Sequence, residues 1–492
     1  MKTRLIASTV IFAIAGLCIE SSADEQIRVP VGQRQLFMDD DVVAQLENLR
    51  RTMHQPLKKG AVIKPDQPWE SVLQTRCAPA WDAERELFKI WLVTSNFAAA
   101  RDAAGTTYAE SKDGIHWTKP ALRQVEYNGS LENNYVTPDP QLRWGGNAIL
   151  NVVYDPDDKD PQRRFKGMLG VNGRQPIISP DGIHWKLLDA AALPSQDESN
   201  LSYDRANRMF LATLKETGPY GRSHGISTSK DFMTWTKPVL FFHADAEDQQ
   251  RAKQNIAARL ANPKLQQPIY NDPQDYHADI YNIGVFRYEG LYIGLPAVFH
   301  STGALPEGNT DGFHLIQLVS SRDLKNWHRL GDRQPFIEPS EVAPGVYDTM
   351  QMLPPSSPVQ HDDELRFYYT GIRHRKLPEG VNSDLGAICL AVLRRDGFIS
   401  LDAGPQGGQM LTKPFTVRGQ QLLINADARN GDLTVEILDR NDNVLAVSEK
   451  IEGDQLRATV QWRDRGLAEF AEQPIRLRFR LRQASLYSFW LK

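Results

Sequence analysis

A seven-residue turn motif recurs four times along this chain, and it limits the possible folds more than any other feature. Each copy has Ser first, Asp third and Trp seventh, and the copies span residues 111–117, 179–185, 229–235 and 321–327. Asp followed by Gly, as in the first two copies, suits the positive φ angles of a tight hairpin. The Trp is large enough to pack its apolar face against a neighbouring unit. The motif therefore predicts the last hairpin of a repeated β unit.

A second pattern, a polar or acidic turn followed by an aromatic strand, precedes each copy of the motif and a shorter fifth copy at residues 395–400. The upstream segments are 82–91, 155–168, 204–211, 288–295 and 362–369. Two patterns that alternate five times predict an all-β protein with five four-stranded blades, a five-bladed β-propeller. An ordinary antiparallel sandwich with chance Asp-Gly turns is the alternative.

The first 23 residues have the pattern of a secretory signal peptide. Lys2 and Arg4 precede an apolar run over residues 5–18, and small residues follow before a cleavage site near Ala23. The run is shorter than the ~20 residues that span a bilayer, so we expect no membrane anchor. These features predict a protein that is secreted or periplasmic.

The net charge and the cysteine content limit which partners and cofactors we expect for this protein. The formal net charge of −4 offers no basic surface for nucleic acid. Cys77 and Cys389 remain after cleavage, and we favour two buried thiols over a disulfide between the first and last blades. No Cys or His spacing matches a zinc site. We expect a monomer without a cofactor and leave open a Ca²⁺ ion in the propeller channel.

The rest of the chain divides into a propeller at 24–403 and a C-terminal β-sandwich domain at 404–492. We expect a strand at 35–43 to complete the last blade and a rim helix within 246–267. Alternating apolar residues after residue 404 predict the β-sandwich. Its six predicted strands are 421–426, 433–438, 444–447, 459–462, 475–481 and 485–491.

Acidic residues cluster where the innermost strand of each blade begins, and these strand starts converge on the central funnel of a propeller. Clustered carboxylates move each other's pKa values apart, which makes one a proton donor while another stays ionised. Glycosidases use such a pair. The candidate catalytic residues are Glu198, Asp279, Glu70, Asp197, Asp348 and Asp40.

Aromatic and polar residues accompany these acids in a way that suits a carbohydrate substrate. Aromatic rings stack on sugar faces, and amides, arginines and imidazoles bind hydroxyls or an acidic substituent. The candidate substrate-binding residues are Trp69, Arg76, Asn134, Arg174, Arg222 and His277, and further stacking candidates are Trp144, Tyr276 and Tyr281. Inter-blade packing and structural ion pairs are the alternative roles for each.

The repeats and acids together resemble the five-bladed propeller glycosidases of glycoside hydrolase families 32 and 43, the former with a C-terminal β-sandwich. Residues 36–40, 133–134, 179–182, 395–398 and 486–489 are more similar still to secreted bacterial proteins described as glycosyl hydrolase-like. The resemblance implies Glu198 as general acid in the third blade. The first blade has Trp69-Glu70 instead of the fructosidase nucleophile motif, and an Asn-Asp-Pro copy falls at 271–273.

These observations predict a secreted glycoside hydrolase that acts on a poly- or oligosaccharide through paired funnel carboxylates. A non-catalytic carbohydrate-binding propeller is the first alternative, and it is favoured if the funnel acids pair with Arg76 or Arg222. A glycoside phosphorylase is the second alternative, and it requires several basic groups beside the acid.

Overall fold

The computed structural model describes residues 26–95, 105–136, 148–306 and 308–492. Within these ranges β-strands are the main regular secondary structure, and one α-helix occurs at Ala246–Ala261. The predicted signal peptide at 1–23 and the stacking candidate Trp144 lie outside them. The first four strands are β1 (Gln35–Leu36), β2 (Val43–Glu47), β3 (Leu49–Met53) and β4 (Leu57–Ile63).

The five blades follow in chain order. Blade one has β5 (Val72–Gln74), β6 (Ala80–Asp82), β7 (Leu87–Ser95) and β8 (Gly105–Ser111). Blade two has β9 (Ile149–Tyr154), β10 (Phe165–Leu169), β11 (Asn172–Ser179), β12 (Lys186–Leu187) and the short β13 (Leu193–Gln196). Blade three has β14 (Ser199–Asp204), β15 (Met209–Gly218), β16 (Gly221–Ser229) and β17 (Val239–Phe242).

Two blades complete the ring. Blade four has β18 (His277–Tyr288), β19 (Leu291–Ala304), β20 (Thr310–Ile316), β21 (Val319–Ser321) and β22 (His328–Arg329). Blade five has β23 (Gln351–Leu353), β24 (Val359–His361), β25 (Glu364–Ile372) and β26 (Gly386–Arg394), with β4 as its outer strand. Short 3-10 turns occur at Pro161–Arg163, Pro273–Asp275, Gly331–Arg333 and Leu467–Phe470.

Antiparallel pairing joins the strands within each blade, and in blade three it follows chain order as β14-β15-β16-β17. The inner strands β9, β14 and β18 contact one another in sequence. Blades one and five meet where β5 pairs with β26 at Val72 and Gly386. The chain is therefore the five-bladed β-propeller that the turn motif predicts.

The turn motif joins β11 to β12, β16 to β17 and β21 to β22 in blades two to four, and it follows β8 in blade one. In the first copy Asp113 accepts hydrogen bonds from the backbone N–H groups of Ile115 and His116, both at 2.8 Å. The residue after the Asp has positive φ in every full copy: Gly114, Gly182, Phe232 and Leu324. The Trp91 indole of blade one donates to the Gly182 carbonyl of blade two at 2.7 Å. The turn thus also ties neighbouring blades together.

The prediction that residues 35–43 close the propeller is wrong, because β4 occupies the outer position of blade five. β1 pairs instead with a C-terminal strand through Gln35 and Phe489. The fifth turn leads the chain out of the propeller before a fourth strand forms. Asp396 in this turn is buried and accepts hydrogen bonds from Tyr288, Arg34 and Ser488. The vacant strand position is therefore filled from the N-terminal side.

The C-terminal strands form an eleven-stranded sheet together with β1, β2 and β3. They are β27 (Ile399–Ala403), β28 (Gly408–Thr412), β29 (Phe415–Thr416), β30 (Leu422–Leu438), β31 (Val444–Val447), β32 (Ile451–Thr459), β33 (Pro474–Arg482) and β34 (Ala484–Leu491). β2 and β3 lie at opposite ends of the strand order but are joined through Asn48 alone, so the sheet curls back on itself. The sandwich and the division at residue 403 stay predictions.

Two strand predictions in this sheet are wrong. The strands predicted at 421–426 and 433–438 are one continuous strand, β30, whose register shifts between Ala428 and Leu433. This irregularity lets one long strand pair on both edges and so removes the need for a turn. The strand predicted at 459–462 lies earlier, as β32, which pairs with β30.

The predicted rim helix is α1 (Ala246–Ala261), which begins at an Asp245 capping box. It ends before Pro263, whose ring disfavours helical backbone in the preceding residue. Within the described ranges, no helix is long and apolar enough to cross a membrane. Cys77 and Cys389 are both buried free thiols, as expected.

Candidate functional site

A cavity of about 330 Å³ lies at the start of the inner strands, in the central funnel. All five blades contribute to its wall, blade two through Leu150. The polar and aromatic residues of the wall come from the other four blades: Gln74, Arg76, Asp197, Glu198, Tyr281, Gln351, His374 and Arg375. Convergence of polar side chains from separate blades is the arrangement that the sequence predicts for a site.

Glu198 lies in this wall with only 3% of its surface exposed. Its Oε2 accepts hydrogen bonds from Arg76 Nε at 2.8 Å and from Asn282 Nδ2 at 2.6 Å, and Arg76 also contacts Oε1. Burial alone would raise the pKa of Glu198, but the Arg76 charge and hydrogen bonds outweigh burial and lower it. Glu198 is therefore an ionised carboxylate, and the general-acid role implied by the family resemblance does not fit it.

Asp279 has the opposite environment. It is also 3% exposed, and its Oδ1 lies 3.4 Å from Arg222 Nη1 while its Oδ2 lies 4.0 Å from His277 Nε2. Burial raises the pKa of Asp279, and the nearby positive charges do not offset this effect. Asp279 does not line the cavity itself; it packs against the β16 hairpin, where a Cβ on Gly221 would lie 3.4 Å from its Oδ2. Asp279 is the funnel carboxyl that can carry a proton.

Lys215 links these two carboxyls electrostatically, although the sequence analysis did not single it out. Its charge lowers the pKa of both Glu198 and Asp279. Its Nζ donates to Asp197 Oδ2 at 2.6 Å and lies 4.3 Å from the centre of the Tyr281 ring. A lone Lys in the second strand of a blade has no local signal that distinguishes it from a surface residue.

Asp197 and Arg174 shape the loop before β14. Asp197 is exposed and has a φ of 66°, a conformation that is uncommon for residues other than Gly. Arg174 is fully buried and donates to Ser199 Oγ at 2.6 Å and to the carbonyl of Val171 at 2.5 Å. Arg174 therefore holds the loop that carries Glu198 and does not face the cavity.

Glu70, Trp69 and Asn134 form a separate buried cluster in blade one. Trp69 donates to Asn134 Oδ1 at 3.1 Å and packs against Tyr127, with ring centres 5.8 Å apart. Glu70 Oε2 accepts from Lys119 at 2.6 Å, and burial raises the pKa of Glu70 despite that charge. None of these three predicted residues lines the funnel cavity, so Trp69 and Asn134 act here as packing residues.

Asp348 and Asp40 do not face the funnel, so this part of the prediction is wrong. The Asp348 carboxylate contacts Lys58 at 2.9 Å and Tyr369 at 2.7 Å, on the face of blade five. Asp40 is exposed and pairs with Arg51 beside the C-terminal sheet. Asp348 lies before β23 of blade five, and Asp40 lies between β1 and β2 of the C-terminal sheet.

A larger cavity of about 570 Å³ lies at the other end of the inner strands, where Trp81, Tyr154 and Tyr203 contribute to its wall. No Asp or Glu lines it. Among the described residues, no group of three or more His, Cys, Asp or Glu side chains is arranged to hold a metal ion. Of these two cavities, only the funnel cavity has carboxyl groups among its described lining residues.

Comparisons with known proteins find remote structural similarity. An N-acetylgalactosamine deacetylase from F. plautii matches 72% of this chain and 96% of its own, at 15% identity and a TM-score of 0.42. A Bombyx mori family 32 β-fructofuranosidase matches 89% and 94%, at 9% identity and a TM-score of 0.40. A Bacillus subtilis family 43 arabinoxylan arabinofuranohydrolase matches 88% and 99%, at 10% identity and a TM-score of 0.38.

No family model and no curated protein matches the sequence. Similarity at these identities is too remote to transfer an activity, so a functional assignment has to rest on the funnel residues themselves. By its own sheet topology, the chain is a five-bladed β-propeller joined to a curled C-terminal sheet.

Proposed function

We propose that this protein is a glycoside hydrolase that cleaves a poly- or oligosaccharide at the central funnel. The observation that supports it is the contrast between two buried carboxyls, Asp279 with a raised pKa and Glu198 with a lowered one. Glycoside hydrolysis needs that division, since one carboxylic acid protonates the leaving oxygen while a carboxylate assists attack at the anomeric carbon. We assign the proton-donor role to Asp279 and the ionised role to Glu198.

The surrounding side chains suit this chemistry. Arg76 and Asn282 hold Glu198 in one orientation, which provides the preorganised charge that stabilises a cationic transition state. His277 is partly exposed next to Asp279 and offers an imidazole to substrate hydroxyls. The cavity wall supplies Gln74 and Gln351 as further hydrogen-bonding groups.

A screen on defined glycans tests the proposal through release of reducing ends. We expect cleavage by the intact protein and a loss of roughly 10²-fold or more in Asp279→Asn, the usual contribution of a general acid. Asp348→Asn is the matched control, because it changes a buried carboxyl of blade five that is paired with Lys58. Full activity in Asp279→Asn contradicts the assignment.

A non-catalytic carbohydrate-binding propeller is the second candidate, and a specific observation favours it. Both leading carboxyls face arginines, Glu198 with Arg76 and Asp279 with Arg222. A carboxylate already neutralised by a bidentate Arg is a weak nucleophile or base. This candidate predicts binding on a glycan array without release of reducing ends. Glu198→Gln then weakens that binding.

Export through the leader at residues 1–23 and a monomeric state are also part of the proposal. Amino-terminal sequencing of the protein produced by a secreting host tests the first: a mature chain that begins near Asp24 is expected, and an uncleaved chain contradicts it. Light scattering on the purified protein tests the second, with a mass near that of one chain expected.

A further inference from the structure

Two arginines from different blades meet at one aromatic platform beside the cavity. The guanidinium carbons of Arg222 and Arg375 both lie 5.2 Å from the centre of the Tyr281 ring. They lie 5.0 and 5.4 Å from the ring of Phe299. Both donate to Asn309 Oδ1, at 3.3 and 3.0 Å. The two cations are therefore held close together although they repel each other.

The partners of this arginine pair leave its positive charge largely uncompensated. Arg375 donates to neutral oxygens, those of Gln351 at 3.0 Å, Thr310 at 3.2 Å and the Tyr281 hydroxyl at 3.3 Å. Among the described residues, no ion pair joins Arg375 to a carboxylate. The contacts that Arg222 makes are long, 3.3 Å or more. Its carboxyl neighbour Asp279 has a raised pKa and so gives less compensating charge.

The other funnel charges are already paired. Arg76 neutralises Glu198, and Lys215 neutralises Asp197. The buried imidazole of His314 lies 4.7 Å from the Tyr281 ring, and burial together with the Arg375 and Arg222 charges lowers its pKa well below the usual value. Arg375 thus contributes a positive charge that no described carboxylate pairs with, and Arg222 contributes one whose carboxyl neighbour, Asp279, lies 3.4 Å away.

We propose that Arg222 and Arg375 bind an oxyanion at the funnel, supplied by an acidic group of the glycan or by free phosphate. The inference rests on the proposed function, since it places this group beside the sugar that the funnel receives. Guanidinium groups bind carboxylate, sulfate and phosphate oxygens through their N–H donors. The present partners of the Arg375 donors are neutral oxygens, and an oxyanion competes with them because charge-assisted hydrogen bonds are stronger. The recognised chemistry is an oxyanion, supplied by a uronic acid, a sulfate ester or inorganic phosphate.

Calorimetric titration of the intact protein with matched ligands tests the site. The probes are galacturonic acid oligosaccharides, glucuronic acid oligosaccharides and sulfated galactose oligosaccharides, each beside its neutral counterpart of the same length. We expect at least one acidic oligosaccharide to bind about tenfold or more tightly than its neutral counterpart, a difference of about 1.4 kcal/mol. Equal or weaker binding of every acidic ligand, together with no binding of inorganic phosphate, overturns the proposal.

Two variants show whether the arginine pair causes the preference. Arg375→Gln should remove most of it, and Arg375→Lys should keep part of it. Arg205→Gln is the matched control, because Arg205 lies at the opposite mouth and pairs with Asp157. An unchanged preference in Arg375→Gln overturns the proposal. If circular dichroism shows that this variant does not fold, the binding preference of the unmodified protein for acidic over neutral oligosaccharides decides whether the proposal stands.

A titration with inorganic phosphate, together with the cleavage assay, distinguishes failure of the oxyanion site from failure of the proposed hydrolase function. Binding of inorganic phosphate that is lost in Arg375→Gln supports the oxyanion site and identifies free phosphate as the source, with phosphate-dependent cleavage as the mark of a phosphorylase. Acidic glycans that bind without being cleaved support the site while contradicting the hydrolase. Cleavage of neutral glycans only, unaffected by Arg375→Gln, overturns the site and leaves the hydrolase standing.

Discussion

Carboxylates have different hydrogen-bond partners in two regions of this propeller, the outer turns and the funnel. The aspartates of the outer turns are satisfied by their own turn: Asp113 and Asp323 each accept two backbone N–H bonds from residues at most three positions away. In the funnel, Glu198 is held by Arg76 and Asn282, which are 122 and 84 residues away in the chain. The turns build the scaffold from local chemistry, whereas the site exists only after the ring has closed.

The largest expected effect comes from breaking the buried funnel pair. Arg76→Met leaves Glu198 buried without its counter-charge, so we expect the free energy of unfolding to fall by about 3–5 kcal/mol. Urea denaturation measures this loss. The double variant Arg76→Met with Glu198→Gln should recover part of it, because the uncompensated charge is gone. A single-variant loss below about 1 kcal/mol would show that the pair is not strongly coupled to folding.

A Cβ added to the turn glycine should have the next largest effect. Gly182 has a φ of +80°, and a Cβ there would lie 2.4 Å from a ring carbon of Trp91. Gly182→Ala should therefore cost about 2–3 kcal/mol by combining backbone strain with overpacking. Gly345→Ala is the control, since Gly345 has a φ of +77° and open space around it. Equal losses of stability would contradict contact between the blades.

Removal of one turn aspartate should cost less and leave the funnel unchanged. Asp181→Ala deletes an acceptor of the backbone N–H groups of Ile183 and His184. By analogy with helix caps, we expect a loss of about 1–2 kcal/mol, measured as a shift of the urea midpoint. Glycan binding and turnover should stay as in the unmodified protein. A selective loss of either would give these turns a part in the site.

The smallest expected effect is a change in the pH dependence of stability. Because the pKa of Asp279 is raised on folding, the native state loses stability as pH rises from about the unfolded value of 3.8 through the folded pKa. Asp279→Asn should remove that decline and be relatively more stable at neutral pH. Urea midpoints taken across this pH range, with Asp348→Asn as control, measure it. An identical pH dependence in both variants would contradict a raised pKa.

The scaffold was predictable from sequence because its determinants are local. Ser111 and Asp113 carry the turn geometry within a few residues, and the same pattern in four places identifies the blades. Prediction failed at the chain ends, where the closing strand is Leu57–Ile63. Nothing in the sequence near residues 35–43 shows that Gln35 and Leu36 pair with Phe489 and Ser488, which lie at the other end of the chain.

The candidate site was predictable in position but not in chemistry. Glu198 and Asp279 are located through their place at the starts of inner strands. Their opposite pKa directions depend on Arg76, Lys215 and the depth of burial, none of which has a local sequence signal. Asp348 occupies a similar place along the chain, yet its contacts with Lys58 and Tyr369 draw it away from the funnel.

A carboxyl titration tests the central claim most directly, and it needs no substrate. Protein labelled with ¹³C at the side-chain carboxyls of Asp and Glu is titrated by NMR, with Asp279→Asn and Glu198→Gln used to assign the two resonances. We predict that Asp279 titrates above the usual 3.8 and Glu198 below the usual 4.5. Titration of Asp279 at or below 3.8 would contradict the account, because the funnel would then hold no carboxyl ready to donate a proton.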